Sequence, residues 1–281
     1  MTLVTPLVGV EELQAVLAGP DDRRPTLLDV RWALGSTSGA AEHRAAHIPG
    51  AAFVDLDDAL SGPVLPDGHG GRHPVPDTEH FARAMRAAGV RTDRPVVCYD
   101  AGSSLGASRA WWMLTFFGKP DVRVLDGGLT AWEEAGLPTE SGEVHPEPGT
   151  FVPRAGGRRL LDADGAASHP LLLDARPADR YRGENETIDP VAGHIPGARS
   201  APALENLRPD GRFLPPVDLA ERMAAVGVRP GDDVAVYCGS GVQAAHAALA
   251  LHVAGVTEDA AVYVGSWSDW VSDRTRPVEL G

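Results

Sequence analysis

The segment Val234-Ala-Val-Tyr-Cys-Gly-Ser-Gly-Val-Gln-Ala-Ala-His246 carries the strongest signal in this chain. Val234 to Tyr237 predict a buried β-strand, and the residues after Gln243 predict a helix. The loop between them begins at Cys238 and contains two glycines. Backbone N–H groups of such a loop and of the first helical turn carry partial positive charge and stabilise an anion. We therefore expect the sulfur of Cys238 to react as a thiolate nucleophile.

Composition limits the classes of protein to consider. The chain has 281 residues, of which 43% are hydrophobic and 23% charged, and this is typical of a globular protein with room for two domains. The net charge is −14 and no run of Lys or Arg resembles a nucleic-acid or polybasic membrane patch, which argues against binding to nucleic acid or to a membrane surface. The two cysteines, Cys98 and Cys238, suggest neither a disulfide framework nor a zinc site, so no metal is expected.

Two further features bear on location. The N-terminal residues show no basic region followed by an apolar core, so no secretory signal is predicted. The uncharged stretch from Val234 to Thr257 is interrupted by glycines and polar residues, which fits strand, loop and buried helix better than a membrane span. We expect a cytoplasmic protein.

The sequence repeats itself. His47-Ile-Pro-Gly-Ala51 recurs as His194-Ile-Pro-Gly-Ala198, and Leu27-Leu-Asp-Val-Arg31 recurs as Leu172-Leu-Asp-Ala-Arg176. Repeats of this length indicate a duplicated domain. The second half is offset from the first by 138 positions near its end, which places Asp100 opposite Cys238 (238 − 100 = 138). One copy therefore carries a nucleophile and the other a carboxylate.

Each half alternates short apolar runs with helical patterns, which predicts a mainly parallel sheet flanked by helices. The fold class is α/β, with a degenerate N-terminal domain over residues 1–140, a linker over 141–160 and a catalytic domain over 161–281. The predicted strands are Thr26–Val30, Pro95–Tyr99, Val122–Leu125, Pro170–Asp174, Val234–Tyr237 and Ala261–Val264; the predicted helices are Thr78–Ala88, Ser108–Phe117, Asp218–Val226 and Ala244–Ala254. Active sites of such sheets lie at the carboxyl ends of the strands, where Cys238 stands.

These residues together resemble the tandem-domain rhodanese family, the thiosulfate and 3-mercaptopyruvate sulfurtransferases. The resemblance rests on the two His-Ile-Pro-Gly-Ala segments, Tyr99-Asp100, Ala107-Ser-Arg-Ala-Trp-Trp112, Leu125-Asp-Gly-Gly128 and the Cys238 loop. It implies two rhodanese-like domains and a Cys238 persulfide that carries the transferred sulfur. It also implies a small-molecule donor, a thiol acceptor such as thioredoxin, or cyanide, and no cofactor.

The resemblance implies roles for further residues. The loop residues Gly239, Gly241, Val242 and Gln243 would contact the donor, although the family usually has Thr where Gln243 stands. Arg180 would bind a donor carboxylate, with Arg182 as a substitute for a second arginine that the family often carries. Ser240 would relay a proton with a histidine of the first domain, for which His47 is the match, and Trp32 would line the donor pocket.

The neutral loop Gly239-Ser-Gly-Val242 looks like the mercaptopyruvate type, whereas members that use thiosulfate tend to carry basic residues there. The alternative is a thiosulfate:cyanide sulfurtransferase. A phosphatase of the same fold would need an arginine after a longer loop, but positions 244 and 245 are both Ala. A non-catalytic binding module is a remote alternative, because it would not need the cysteine.

Overall fold

The computed structural model describes residues 5–281, and these form two compact units. The first unit consists of residues up to Ser61, Pro76–Gly157 and Arg208–Phe213, and the second of Gly62–Val75, Arg158–Leu207 and Leu214–Gly281. Two segments depart from the predicted division. Residues 208–213 come from the second half of the sequence but belong to the first unit. Residues 62–75 come from the first half of the sequence but belong to the second unit.

The first unit is built on a five-stranded sheet. Its strands are β1 (Leu7–Val8), β2 (Thr26–Asp29), β3 (Ala52–Phe53), β4 (Val96–Tyr99) and β5 (Val122–Leu125). They lie in the order β1-β5-β4-β2-β3, and their pairings are parallel. The helices of this unit are α1 (Val10–Leu17), α2 (Gly39–Ala45), α3 (Leu56–Ala59), α4 (Thr78–Ala87), α5 (Leu105–Phe116) and α6 (Gly128–Glu134), with a 3₁₀ turn at Asp21–Arg23.

The second unit repeats this plan. Its strands are β6 (Leu160–Leu161), β7 (Leu172–Asp174), β8 (Arg199–Ser200), β9 (Ala235–Tyr237) and β10 (Ala261–Tyr263). They lie in the order β6-β10-β9-β7-β8, again with parallel pairings, so β9 is the central strand. The helices are α7 (Ala163–Ser168), α8 (Ala178–Arg182), α9 (Pro216–Ala225), α10 (Val242–Val253) and α11 (Ser266–Trp270), with a 3₁₀ turn at Ala203–Asn206.

Central strands of a parallel sheet are covered on both faces, which explains why β9 is apolar without alternation. All three of its residues are buried, and Tyr237 packs in a core with Trp267, Trp270 and Ile195. Helix α10 is equally apolar: nine of its twelve residues are buried. This packing holds the β9 end and the α10 start in fixed positions, and Cys238 lies between them.

The predicted α/β class, the two parallel sheets and the duplicated plan are confirmed. Each predicted strand and helix is present, with ends that move by up to about three residues. The two-residue strands β1, β3, β6 and β8 were not predicted, because two residues are too few to show a period. Within residues 5–281, no helix has the length and apolar character needed to cross a membrane.

Candidate active site

Cys238 stands at the carboxyl end of β9, four residues before α10 begins at Val242. Its side chain is buried, and the Gly241 N–H donates a hydrogen bond to Sγ over 3.1 Å. Gly241 has a φ of 84°, a left-handed conformation that favours glycine. The backbone therefore turns back on itself and directs an amide at the sulfur, which is the arrangement that the sequence predicts.

Residues at the start of α11 hold this loop in place through hydrogen bonds. The Cys238 N–H donates to the Ser266 Oγ over 3.0 Å, and this hydroxyl lies 3.9 Å from the Cys238 Sγ. The backbone N–H groups of Trp267 and Ser268 donate to the carbonyls of Cys238 and Gly239. Ser266 has a φ of 55°, which is uncommon for a residue with a Cβ and often marks a functional constraint. Ser266 was not among the predicted site residues. Gly128, with a φ of 58°, stands at the same position of the first repeat (266 − 128 = 138).

Ser240 has a histidine partner, but it is His73. The Ser240 Oγ and the His73 Nδ1 lie 2.8 Å apart, and both residues are buried. His73 belongs to the segment 62–75 that is part of the second unit. The structure therefore corrects the prediction that paired Ser240 with His47.

His47 is held inside the first unit instead. Its Nδ1 lies 2.7 Å from the His43 carbonyl oxygen, and its Nε2 lies 3.2 Å from the Glu140 carboxylate. His194 repeats this arrangement in the second unit with the Tyr181 carbonyl and the Glu279 carboxylate. Because both copies of the motif make equivalent contacts, we interpret His47 as a residue that stabilises the turn.

Arg180, which is predicted to bind the donor, lies close to the cysteine loop. A Cβ placed on Gly239 would lie 3.5 Å from the Arg180 Nη1. The other nitrogens of this guanidinium are paired with carboxylates: Nη2 lies 2.8 Å from Glu186 and 2.9 Å from Asp189. Arg180 is thus held on α8 with one edge of its guanidinium directed at the loop.

A second guanidinium reaches the same place, and it is Arg72. Its Nη2 lies 3.1 Å from the Cβ position of Gly239, while its Nη1 donates to the Asp189 carboxylate. The Arg72 backbone N–H donates to the Ser268 Oγ over 3.1 Å, which ties the segment to α11. Arg72 was not predicted, because its segment forms neither helix nor strand and shows no periodic pattern.

Arg182 does not take this role. Its side chain is 43% exposed and pairs with Glu184 through two hydrogen bonds of 2.9 and 2.7 Å. The prediction that Arg182 supplies a second arginine at this loop is therefore wrong, and the second guanidinium beside Gly239 belongs to Arg72. A stretch without basic residues, Gly239 to Val242, therefore lies under two arginines contributed by other segments.

The pKa values of Glu186 and Arg176 are both shifted toward the charged form, for identifiable reasons. Burial alone would raise the pKa of Glu186, but hydrogen bonds from the Asp189 N–H and the Arg180 guanidinium outweigh it and lower the pKa. Arg176 is fully buried, which disfavours its charge, yet the Asp174 carboxylate 2.6 Å away outweighs burial and raises the pKa of Arg176. Arg176 is therefore a structural ion-pair residue at the end of β7.

The remaining predicted residues lie as follows. Val242 and Gln243 form the first turn of α10, with Val242 buried and Gln243 partly exposed. Trp32 belongs to the first unit, where its indole N–H donates to Asp57 over 3.1 Å. Its predicted role at the donor pocket stays a prediction. Cys98 is fully buried in β4, and burial raises the pKa of its thiol.

Comparison with known proteins agrees with this geometry. The family model for the Rhodanese-like domain matches residues 10–135 and again residues 158–273. A relative from Pseudomonas aeruginosa, named "Probable 3-mercaptopyruvate sulfurtransferase", is 47% identical over 98% of this chain and 98% of its own. A relative from Mycobacterium tuberculosis that bears the name thiosulfate sulfurtransferase SseB is 43% identical over 98% of this chain and 97% of its own.

Solved structures show the same likeness. The crystal structure of the 3-mercaptopyruvate sulfotransferase SseA from Escherichia coli superposes with a TM-score of 0.81 at 34% identity. The match covers 94% of this chain and 99% of that one. Two family matches, full-length relatives and a shared architecture all agree with the resemblance seen in the sequence. The chain belongs to the tandem-domain rhodanese family of sulfurtransferases.

Proposed function

We propose that this protein transfers sulfur from 3-mercaptopyruvate, through a persulfide on Cys238, to a thiol or cyanide acceptor. The observation that carries the proposal is the set of groups around one loop. Residues 238–241 bring four kinds of group together. The Cys238 sulfur accepts a hydrogen bond from an amide, and the Ser240 hydroxyl contacts a histidine. Two guanidinium groups lie beside Gly239. Each group matches one requirement of the reaction.

The first half-reaction needs a nucleophile and a place for the leaving electrons. The Cys238 thiolate attacks the sulfur of the bound donor and forms an S–S bond, while the donor's C–S bond breaks. The electron pair of that bond passes into the carbonyl and gives the enolate of pyruvate. The proton that the donor's thiol gives up passes to the enolate carbon, which gives pyruvate and leaves the persulfide as an anion.

Ser240 suits the stabilisation of this enolate. When the His73 Nδ1 carries a proton and donates to the Ser240 Oγ, the serine hydroxyl is free to donate to the donor's carbonyl oxygen. This hydrogen bond strengthens as negative charge develops on the oxygen, which lowers the barrier. His73 holds the hydroxyl in place, so that its proton points at the donor's carbonyl oxygen.

Arg180 and Arg72 suit the carboxylate of the donor. Both direct guanidinium nitrogens at Gly239, the residue next to the nucleophile. Arginine binds carboxylates through paired hydrogen bonds, and this fixes the donor with its sulfur near Cys238. The second half-reaction passes the outer sulfur of the persulfide to an acceptor thiolate, so ping-pong kinetics are expected.

We further propose a thiol acceptor such as thioredoxin and a cytoplasmic location. A persulfide exchanges with thiolates by the same chemistry as a disulfide, which supports a thiol acceptor. Both cysteines are free, and free thiols of this kind are kept reduced in the cytoplasm.

Thiosulfate is the second candidate donor, because the relative from Mycobacterium tuberculosis bears that name. A comparison of kcat/KM for the two donors on the purified protein decides between them. We expect 3-mercaptopyruvate to be used at least about tenfold better, since thiosulfate has no carbonyl for Ser240 to polarise. Equal or better use of thiosulfate would overturn the choice of donor.

A further inference from the structure

Asp189 bridges the two arginines that face the cysteine loop. One carboxylate oxygen accepts from the Arg72 Nη1, and the other lies 2.9 Å from the Arg180 Nη2. The Asp189 side chain is only 3% exposed. A buried carboxylate held between two guanidinium groups interacts with both of them strongly, because little water screens the charges.

The bridge leaves other nitrogens available to a donor. Those nearest the Gly239 Cβ position are the Arg72 Nη2 and the Arg180 Nη1, and neither of these holds Asp189. The Arg72 Nε is buried and, within residues 5–281, has no hydrogen-bond partner. Asp189 therefore cancels positive charge without occupying the face that points at the loop.

The charge balance of the cluster follows from its members. Arg72 and Arg180 contribute two positive charges, and Glu186 and Asp189 contribute two negative charges. The buried pair of Arg176 and Asp174 adds no net charge. The donor thus meets two guanidinium groups whose combined charge is already balanced.

We propose that Asp189 is a specificity-determining residue that sets the charge of the donor site and so favours a monoanionic donor over a dianionic one. This inference rests on the proposed function, since it concerns the same donor site. Mercaptopyruvate carries one negative charge on its carboxylate, whereas thiosulfate carries two on a compact group. The position of Asp189 explains how a site with two arginines avoids strong binding of the dianion.

The changes in kcat/KM for the two donors should be related to their charges. A change in potential at the donor site acts on each unit of donor charge, so a dianion feels twice the free-energy change of a monoanion. A substitution that improves kcat/KM for mercaptopyruvate by a given factor should improve that for thiosulfate by about the square of the factor. This relation separates a charge effect from a loss of structure, which would weaken both donors.

The test is Asp189→Asn, which removes the charge and keeps the size of the side chain. We expect kcat/KM to rise about threefold for mercaptopyruvate and about tenfold for thiosulfate, so the ratio moves toward thiosulfate. The matched control is Glu184→Gln, the same loss of charge five residues away on an exposed side chain that pairs with Arg182. This control should leave the ratio unchanged, because exposed charges are screened.

A second variant keeps the inference testable if Asp189→Asn disturbs the arginines. The double variant Asp189→Asn with Arg72→Gln restores the balance of charge, so its donor ratio should return toward that of the wild type. Arg72→Gln alone should lower thiosulfate use more than mercaptopyruvate use. Compensation of this kind is not expected if Asp189 only positions the arginines.

Failure of the inference and failure of the proposed function can be told apart. A wild type that does not use mercaptopyruvate overturns the proposed function, whatever the variants do. A wild type that prefers mercaptopyruvate, combined with an unchanged or opposite donor ratio in Asp189→Asn, overturns the role of Asp189 alone. A fall in kcat/KM for both donors in Asp189→Asn, without recovery of the ratio in the double variant, also overturns it.

Discussion

The loops after β4 and β9 occupy equivalent places in the two units, yet only one presents a nucleophile. In the first unit, Asp100 stands where Cys238 stands in the second. The Asp100 carboxylate accepts hydrogen bonds from the amides of Gly102, Ser104 and Gly106 at 2.9 to 3.0 Å. Both loops therefore direct backbone N–H groups at the same position, three at the Asp100 carboxylate and that of Gly241 at the Cys238 sulfur.

The difference lies in what fills the position. The Asp100 carboxylate itself accepts the hydrogen bonds of the amides. Helix α5 begins five residues after Asp100, whereas α10 begins four residues after Cys238. Burial raises the pKa of Asp100, with the amides opposing that shift. A carboxylate can accept the hydrogen bonds of these amides but cannot carry sulfur. The equivalent loops therefore stabilise the fold in the first unit and present a nucleophile in the second.

Other pairs show what the two units share. The Tyr99 OH accepts from the Ile48 N–H over 3.1 Å, and the Tyr237 OH accepts from the Ile195 N–H over the same distance. Contacts that recur in both units away from the Cys238 loop belong to the shared fold. By this criterion His47 is structural, while the bond between His73 and Ser240 belongs to the reactive unit.

The largest expected effect in this comparison comes from the histidines. His73→Ala should lower kcat with mercaptopyruvate by about 100-fold or more, because Ser240 loses the group that orients its proton. With thiosulfate the loss should be much smaller, since that donor has no carbonyl. Steady-state kinetics with both donors make this measurement.

His47→Ala is the matched control from the equivalent structural position. It should lower the thermal unfolding midpoint, because the bonds to His43 and Glu140 are lost, and should change kcat by less than about threefold. If His47→Ala abolished turnover while His73→Ala left it intact, the assignment of the two histidines would be reversed.

A smaller effect is expected from the arginines of α8. Arg180→Ala should raise KM for mercaptopyruvate by about tenfold or more, because a charge-assisted hydrogen bond to the donor carboxylate is lost. Arg180→Lys should recover part of the affinity, since the charge remains but the paired geometry does not. KM from steady-state kinetics and the unfolding midpoint should be measured on both variants.

Arg182→Ala provides the comparison for this prediction. Its pair with Glu184 is exposed and screened by water, so KM and the unfolding midpoint should both stay near those of the wild type. A sharp fall in stability of Arg180→Ala with an unchanged KM would show that Arg180 serves only the ion-pair cluster with Glu186 and Asp189.

Much of the fold was predictable, because it depends on patterns that are local in sequence. Apolar runs indicate β2, β4, β7 and β9, and the repeated His-Ile-Pro-Gly motifs indicate the duplication. Cys238 and Arg180 were predictable because each lies in a segment with a recognisable motif.

The rest of the site depends on a contact between distant parts of the chain. His73 and Ser240 are separated by 167 residues, and residues 62–75 form neither helix nor strand. Gly71 has a φ of 77°, and a Cβ there would lie 2.4 Å from the Gly265 carbonyl oxygen, so the segment meets the α11 start backbone to backbone. The segment Gly70-Gly-Arg-His73 was the one indication of these residues in the sequence. Hydrophobic periodicity does not predict where such a loop packs.

The central claim is that Cys238 carries the transferred sulfur while Asp100 and Cys98 do not. Intact-mass measurement after treatment with 3-mercaptopyruvate, followed by peptide mapping, tests it most directly. Wild type and Cys98→Ser should each gain a single sulfur atom on the peptide that contains Cys238, removable by a thiol, and Cys238→Ser should gain none while remaining folded. Sulfur added to Cys238→Ser, or found on Cys98, would contradict the account.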